Sequence, residues 1–348
     1  MKNRFLILLS FVLIVGRDVV CANTSMVRER ININRDWRYQ IDDPDGVGAA
    51  LHYSRLKPYL LPCANDFIIF GKRYQRPEGN PGENIAYVKS DFDDSEWRHL
   101  NLPHDWAIEG PFNIDYNGST GKLPYWGIRW YRKTLELSQD DAGKQIYLDI
   151  DGAMSYVSVW CNGQYVGGWP YGYASFRLDL TPYIKAGQKN VLAIRLDNPD
   201  DTSRWYPGSG IYRNVWLVKT SPVHVEQWGT FVRNQQVDSE IAVMEMGVNI
   251  ENHAGKDVQV KLQTSVYLQG KDGRPVGEEV TQSMTKDIAI KKDSWSSARF
   301  QFKVDKPKLW DIDTPNCYVA VSRVFMDGKE MDSYETPFGI RTIEFTHN

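Results

Sequence analysis

Residues 146–169 run Ile146-Tyr147-Leu148-Asp149-Ile150-Asp151, Gly152-Ala153-Met154, Ser155-Tyr156-Val157-Ser158-Val159-Trp160, Cys161-Asn162-Gly163-Gln164 and Tyr165-Val166-Gly167-Gly168-Trp169. Apolar and polar residues alternate at period two from Ile146 and again from Ser155 to Trp160, the pattern of a strand with one buried face. The run ends at Asn162-Gly163. Asn-Gly between alternating runs signals a hairpin, because a type I′ turn needs positive φ at both central residues. Tyr165 to Trp169 is then the returning strand. Phe176 to Leu180, Val191 to Asp197 and Val215 to Val218 repeat the pattern, with Thr181-Pro182 and Ala186-Gly187 as breaks. From Ile31 to about Ser221 helical periodicity is almost absent, so these short strands predict a sandwich or jelly roll.

Two stretches stand apart. Between Asp42 and Glu83, Pro44, Pro58, Pro62, Pro77, Pro81 and several glycines predict an extended insertion or loop, either functional or packed on the sandwich face. At Ser221-Pro222 the chain becomes more polar and poorer in aromatics. Val223–Val232, Ile241–Asn249, Val258–Leu268, Val280–Ile290, Ala298–Val304 and Tyr318–Phe325 are strand candidates, separated by turns such as Asp272-Gly273 and Asp327-Gly328. With a last strand near Thr342, about seven strands in ~120 residues predict a second sandwich of immunoglobulin type, without a Cys–Trp–Cys pattern. The expected fold class is all-β, a jelly roll over 28–221 followed by an immunoglobulin-like sandwich over 222–341.

The 348 residues suffice for two such domains. The net charge is −3, while 12 Trp and 19 Tyr bring aromatic content to 13%. Nucleic acid and anionic membrane surfaces favour a concentrated basic face, and nothing in this balance supplies one. A neutral sugar is compatible. Met1 to Ala22 carries Lys2 and Arg4, an apolar run from Phe5 to Val15 and small residues at Val20 and Ala22. This is read as a secretory signal, too short to span a bilayer, so the expected location is periplasmic or extracellular. Lipidation of Cys21 is the alternative. The mature chain keeps Cys63, Cys161 and Cys317, with no disulfide framework and no metal spacing, and no cofactor is expected. Cys161 alternates within a strand and reads as a small buried hydrophobe; a Cys63–Cys161 bridge stays open.

Two segments carry candidate chemistry. Leu102-Pro103-His104-Asp105-Trp106 follows Asp93-Asp94-Ser95-Glu96-Trp97. It reads as a capped turn and strand, with Trp97 and Trp106 buried and Asp93 or Asp94 accepting backbone hydrogen bonds. His104 and Asp105 are not read as a catalytic pair, because adjacent residues rarely face each other and no nucleophile signature accompanies them. The second segment, Asp200-Asp201-Thr202-Ser203-Arg204-Trp205-Tyr206-Pro207-Gly208-Ser209-Gly210, reads as a loop. Arg204 and Trp205 could grip hydroxyls and stack on a pyranose. Alternatively Trp205 and Tyr206 fill an interdomain seam while Arg204 pairs with Asp200 or Asp201.

Taken in order, these segments, Trp130-Tyr131-Arg132-Lys133, Leu148 to Ala153, Trp160 to Gly163, Gly208 to Val215 and Phe338-Gly339-Ile340-Arg341 resemble the two β domains that precede the catalytic barrel in glycoside hydrolase family 2. The His-Asp-Trp segment and the Trp-Tyr-Pro-Gly-Ser-Gly loop look most like the β-galactosidases. The resemblance implies retaining hydrolysis by two barrel glutamates about 5–5.5 Å apart. A (β/α)₈ barrel takes about 250 residues, and only 342–348 follow the last β domain, so no residue here is assigned a catalytic role. By motif position Arg204 and Trp205, and less directly His104 and Asp105, are the substrate-binding candidates at the barrel rim. The expectation is a non-catalytic front of a secreted β-galactosidase-like enzyme, its barrel downstream or in trans. The alternative is a stand-alone carbohydrate-binding or docking module.

Overall fold

The computed structural model describes residues 27–68, 71–201 and 203–345; the signal-peptide reading and Cys21 lie outside them. Two antiparallel sandwiches follow one another. In the first, a six-stranded sheet runs Arg98–Leu100, Trp37–Ile41, Gly127–Glu136, Lys189–Asn198, Val157–Cys161 and Gln164–Trp169. A four-stranded sheet faces it, in the order Glu29–Asn32, Val215–Thr220, Gln145–Ile150 and Phe176–Asp179. Leu148, Ile150, Val157, Val159, Phe176, Ile194 and Leu196 fill the space between. The Asn162-Gly163 hairpin forms as its sequence predicts, with φ of 51° and 80° at the two residues and Cys161 paired with Gln164.

Alternation along Gly127–Glu136 explains the Trp130-Tyr131-Arg132 triplet. Tyr131 points into the inter-sheet core, whereas Trp130 and Arg132 point outward, where both are fully buried by the 42–93 segment. That segment is therefore a packed layer. Val47, Leu51, Leu56, Leu60, Ile85 and Val88 close over Trp130 and Trp160 as a second core. It is less irregular than its prolines predict, since Tyr53–Leu60 is an α-helix that buries Leu56 and Leu60 despite an internal Pro58. A four-residue apolar spacing over two turns is too short to read against that proline density. A buried guanidinium must be paired, and two hold the layer down. Arg132 Nε donates to Asp94 at 2.7 Å, with further bonds to the carbonyls of Tyr87 and Lys89. Arg195 makes two bonds of 2.8 Å to Asp43. Asp94 thus serves a side chain, while Asp93 accepts the Ser95 amide at 3.0 Å, and Trp97 and Trp106 are buried as expected.

The second sandwich sets a three-stranded sheet, Val223–Val237, Ile241–Asn252 and Ser294–Asp305, against a sheet ordered Pro275–Val276, Val258–Gln269, Tyr318–Met326 and Lys329–Phe338, with Met284–Ile290 also paired to Val258–Gln269. Its separate core contains Met244, Met246, Val248, Ile250, Leu262, Val266, Phe302 and Val324. The last strand is Lys329–Phe338, not one near Thr342. Asp327-Gly328, with φ of 52° and 77°, turns the chain straight back onto Tyr318–Met326. Cys63, Cys161 and Cys317 stand as thiols, so the Cys63–Cys161 bridge is not formed. Cys161 is fully buried, and burial pushes its thiol up to about 12. Among the described residues, no helix is long and apolar enough to cross a membrane.

Candidate functional site

The two segments singled out from sequence meet in space. The His104 amide donates to the Ile211 carbonyl at 2.9 Å, and the Tyr206 hydroxyl donates to Asp105 Oδ2 at 2.6 Å. Gly210 lies between them. Its φ is +83°, and a Cβ there would stand 2.5 Å from the His104 carbonyl oxygen and 2.7 Å from the Tyr131 hydroxyl. Only glycine combines that backbone with that approach. Its amide and carbonyl pair with Met154 at 3.2 and 2.9 Å. Asn198 Nδ2 reaches the carbonyls of Tyr125 and Gly208 at 2.7 and 3.2 Å, fastening the other end of the loop.

His104 and Asp105 belong to this root. His104 is buried, with Nδ1 2.8 Å from the Tyr131 hydroxyl and Nε2 3.2 Å from Glu109 Oε1. A carboxylate only accepts, so Nε2 carries the proton and Nδ1 accepts from Tyr131. Burial lowers the pKa of the imidazole below its ordinary value, and Glu109 opposes this in part. Asp105 Oδ1 accepts the Ala107 amide at 3.1 Å, while Oδ2 is taken by Tyr206. Burial and that carboxylate push the Tyr206 phenol well above its usual range. Asp105 Oδ2 thus holds the loop directly, while the other three atoms fix the 104–109 turn against Tyr131, Glu109 and the Ala107 amide.

The tip is different. Arg204 is exposed, and among the described residues it forms no ion pair with Asp200 or Asp201; Asp200 instead accepts from Tyr125 at 2.8 Å. Trp205 is 58% exposed, so it does not fill a seam between the two sandwiches, whereas Tyr206 packs against the first core. The Trp205 indole donates to the Tyr173 hydroxyl at 3.1 Å, which donates to the Pro207 carbonyl at 2.9 Å. Tyr171, 60% exposed, meets Tyr173 edge-on at 5.6 Å. The tip therefore presents aromatic faces fixed by hydrogen bonds beside an exposed guanidinium, equipment suited to stacking on a sugar and bonding its hydroxyls. Sequence reasoning missed Tyr171 and Tyr173, although Trp169-Pro170-Tyr171-Gly172-Tyr173 is dense in aromatics. It also missed His224, Glu251 and His253, which come together at the seam.

Two successive antiparallel β-sandwiches define the class as a tandem β-sandwich protein. The family model of the sugar binding domain of glycosyl hydrolases family 2 matches residues 87–221, and the model named glycosyl hydrolases family 2 matches 223–341. Beta-galactosidase BoGH2A of Bacteroides ovatus is 40% identical over 328 residues, 93% of this chain and 33% of that protein. A beta-glucuronidase of Formosa agariphila is 27% identical, over 73% of this chain and 28% of the relative. A solved family 2 member from Bacteroides cellulosilyticus superposes with a TM-score of 0.73 at 27% identity, covering 91% of this chain and 36% of that one. The chain belongs to glycosyl hydrolase family 2. It spans about a third of the length of the curated relatives it matches, and among the described residues there is no barrel domain.

Proposed function

We propose that this chain is the non-catalytic β-domain portion of an exported β-galactoside hydrolase, and that the loop tip of Arg204 and Trp205, with Tyr173, contributes to glycan recognition at the rim of a catalytic barrel. The observation that carries this reading is Trp205, held in the open by the Tyr173 hydroxyl on a loop whose root is tied down by the Tyr206–Asp105 bond. A β-galactoside is favoured over a β-glucuronide because the galactosidase relative is the more similar, 40% identical against 34% for a putative beta-glucuronidase of Formosa agariphila. His104 and Asp105 act in this reading by positioning the loop. The division into two unfolding units, with a boundary near Ser221-Pro222, is part of the proposal.

The chain alone is expected to hydrolyse aryl β-galactosides no faster than the uncatalysed background, since retention needs two carboxyls flanking the anomeric carbon and the reading places both on the barrel. Turnover that survives repurification contradicts it. Joined to a family 2 barrel, the protein should hydrolyse aryl β-galactosides in preference to aryl β-glucuronides; the reverse preference overturns the substrate assignment.

A further inference from the structure

Where the two sandwiches meet, three side chains outside the sugar-facing loop converge. His224 sits directly opposite Glu251 in the antiparallel ladder of Val223–Val237 and Ile241–Asn252. His253, two residues beyond Glu251, projects to the same side, its amide fixed to the Pro222 carbonyl at 2.8 Å. His224 Nε2 and His253 Nε2 lie 3.3 and 3.5 Å from the same oxygen, Glu251 Oε2. All three ligand-type atoms fall within 4.8 Å of one another, and the two imidazoles stack at 5.7 Å.

The protons decide what this cluster is for. His224 Nδ1 is 2.9 Å from the Ser221 carbonyl. A carbonyl can only accept, so Nδ1 carries the hydrogen and Nε2 turns a lone pair toward the Glu251 carboxylate. A fixed outer hydrogen bond behind an unprotonated inner nitrogen is how proteins present a metal-ligating histidine, and here that nitrogen accepts from the Tyr147 hydroxyl at 3.3 Å. Both N···O separations exceed the ~2.7–2.9 Å of a charged N–H···O⁻ bond. They match instead the edge of a tetrahedron with metal–ligand bonds of about 2.1 Å, which is about 3.4 Å. The remaining edge closes by turning the His253 ring, 41% exposed, toward the fully buried His224.

The surroundings suit a cation. Arg28 faces His224 but is tied to Asp332 by bonds of 2.9 and 2.8 Å, and Arg177 is tied to Asp149 at 2.6 and 2.9 Å. Glu251 and His253 line a cavity of about 410 Å³ that also holds Asp179, Tyr147 and Glu226, so an ion has a route in and room for water. We propose that His224, Glu251 and His253 form a divalent-metal site of the zinc class at the seam between the two sandwiches. Two imidazoles and one carboxylate select zinc-like ions over calcium or magnesium, which prefer all-oxygen sets. Three protein ligands leave a fourth position for water or for the Tyr147 hydroxyl, 3.3 Å from His224 Nε2. Tyr147 belongs to the first sandwich and the ligands to the second, so a bound ion also braces the seam.

The test uses the tag-free chain stripped with a chelator and desalted, then titrated with Zn²⁺ against a chromophoric competitor, with Ca²⁺ as control. One Zn²⁺ per chain is expected, bound at least ~10-fold more weakly by Glu251→Gln and by His253→Ala, and Ca²⁺ should fail to compete. Both altered side chains are partly exposed, and matching circular dichroism spectra and melting curves without metal establish that the variants are folded. Absence of saturable Zn²⁺ binding overturns the proposal. So does stoichiometric binding that both folded variants retain, because the ion then sits elsewhere.

Discussion

The root and the tip of the 200–213 loop lie a few residues apart and are built on opposite principles. At the root, Gly210, Tyr206, Asp105 and His104 are closely packed and hydrogen-bonded to one another or to neighbouring backbone. At the tip, Arg204 and Trp205 face solvent, and the indole keeps one hydrogen bond, to Tyr173. Stability is therefore concentrated in the root, while the exposed tip is free to meet a ligand. Substitutions at the root should unfold or loosen the domain, and substitutions at the tip should leave it standing.

The largest effect is expected at Gly210. In Gly210→Ala the new methyl meets the His104 carbonyl and Tyr131 hydroxyl at a left-handed backbone position, so a loss of about 2–4 kcal/mol should appear in denaturant unfolding. A loss below about 1 kcal/mol would mean that the root is softer than its contacts indicate. Tyr206→Phe comes next. It strips Asp105 Oδ2 of its 2.6 Å donor and should cost about 1–2 kcal/mol, measured the same way.

A smaller effect comes from pH. The folded-state pKa of His104 is depressed by burial, so the unfolded chain takes up its proton first as pH falls. The stability this group contributes is present above its ordinary value of about 6.5 and is lost as pH falls through the depressed folded value. The groups facing the ring are Glu109, Arg98, Asp105, Tyr39 and Tyr131. Subtracting the unfolding free energies of His104→Gln from those of the parent at each pH isolates this limb, and the difference should shrink on acidification below about 6.5. A difference that grows instead would mean that the imidazole is charged in the folded state. At the tip, Trp205→Ala should change stability by less than about 0.5 kcal/mol.

The same contrast explains what the sequence disclosed. Period-two alternation and the Asn162-Gly163 turn made the sandwiches legible because local backbone chemistry and one-sided burial write directly into neighbouring residues. The helix Tyr53–Leu60 was hidden because its stability comes from Leu56 and Leu60 docking on a distant sheet, which no local pattern records. The final strand was misplaced toward Thr342 because Lys329–Phe338 is mixed in polarity, with partial burial along most of its length. His104 and Asp105 were visible as a motif, but their structural employment depends on Glu109, Tyr131 and Tyr206, and the last two are distant in sequence. Tyr173 and the His224–Glu251–His253 cluster depend on three-dimensional approach, and the cluster in particular on strand register.

The most direct test of the division between root and tip is the steady-state kinetics of Trp205→Ala in a protein that joins this chain to a family 2 barrel, with melting temperature measured on the same sample. The account predicts a fall in kcat/KM for an aryl β-galactoside equivalent to about 1–3 kcal/mol of lost transition-state stabilisation, with an unchanged melting temperature. Wild-type kinetics accompanied by a lowered melting temperature would contradict it and make Trp205 a packing residue.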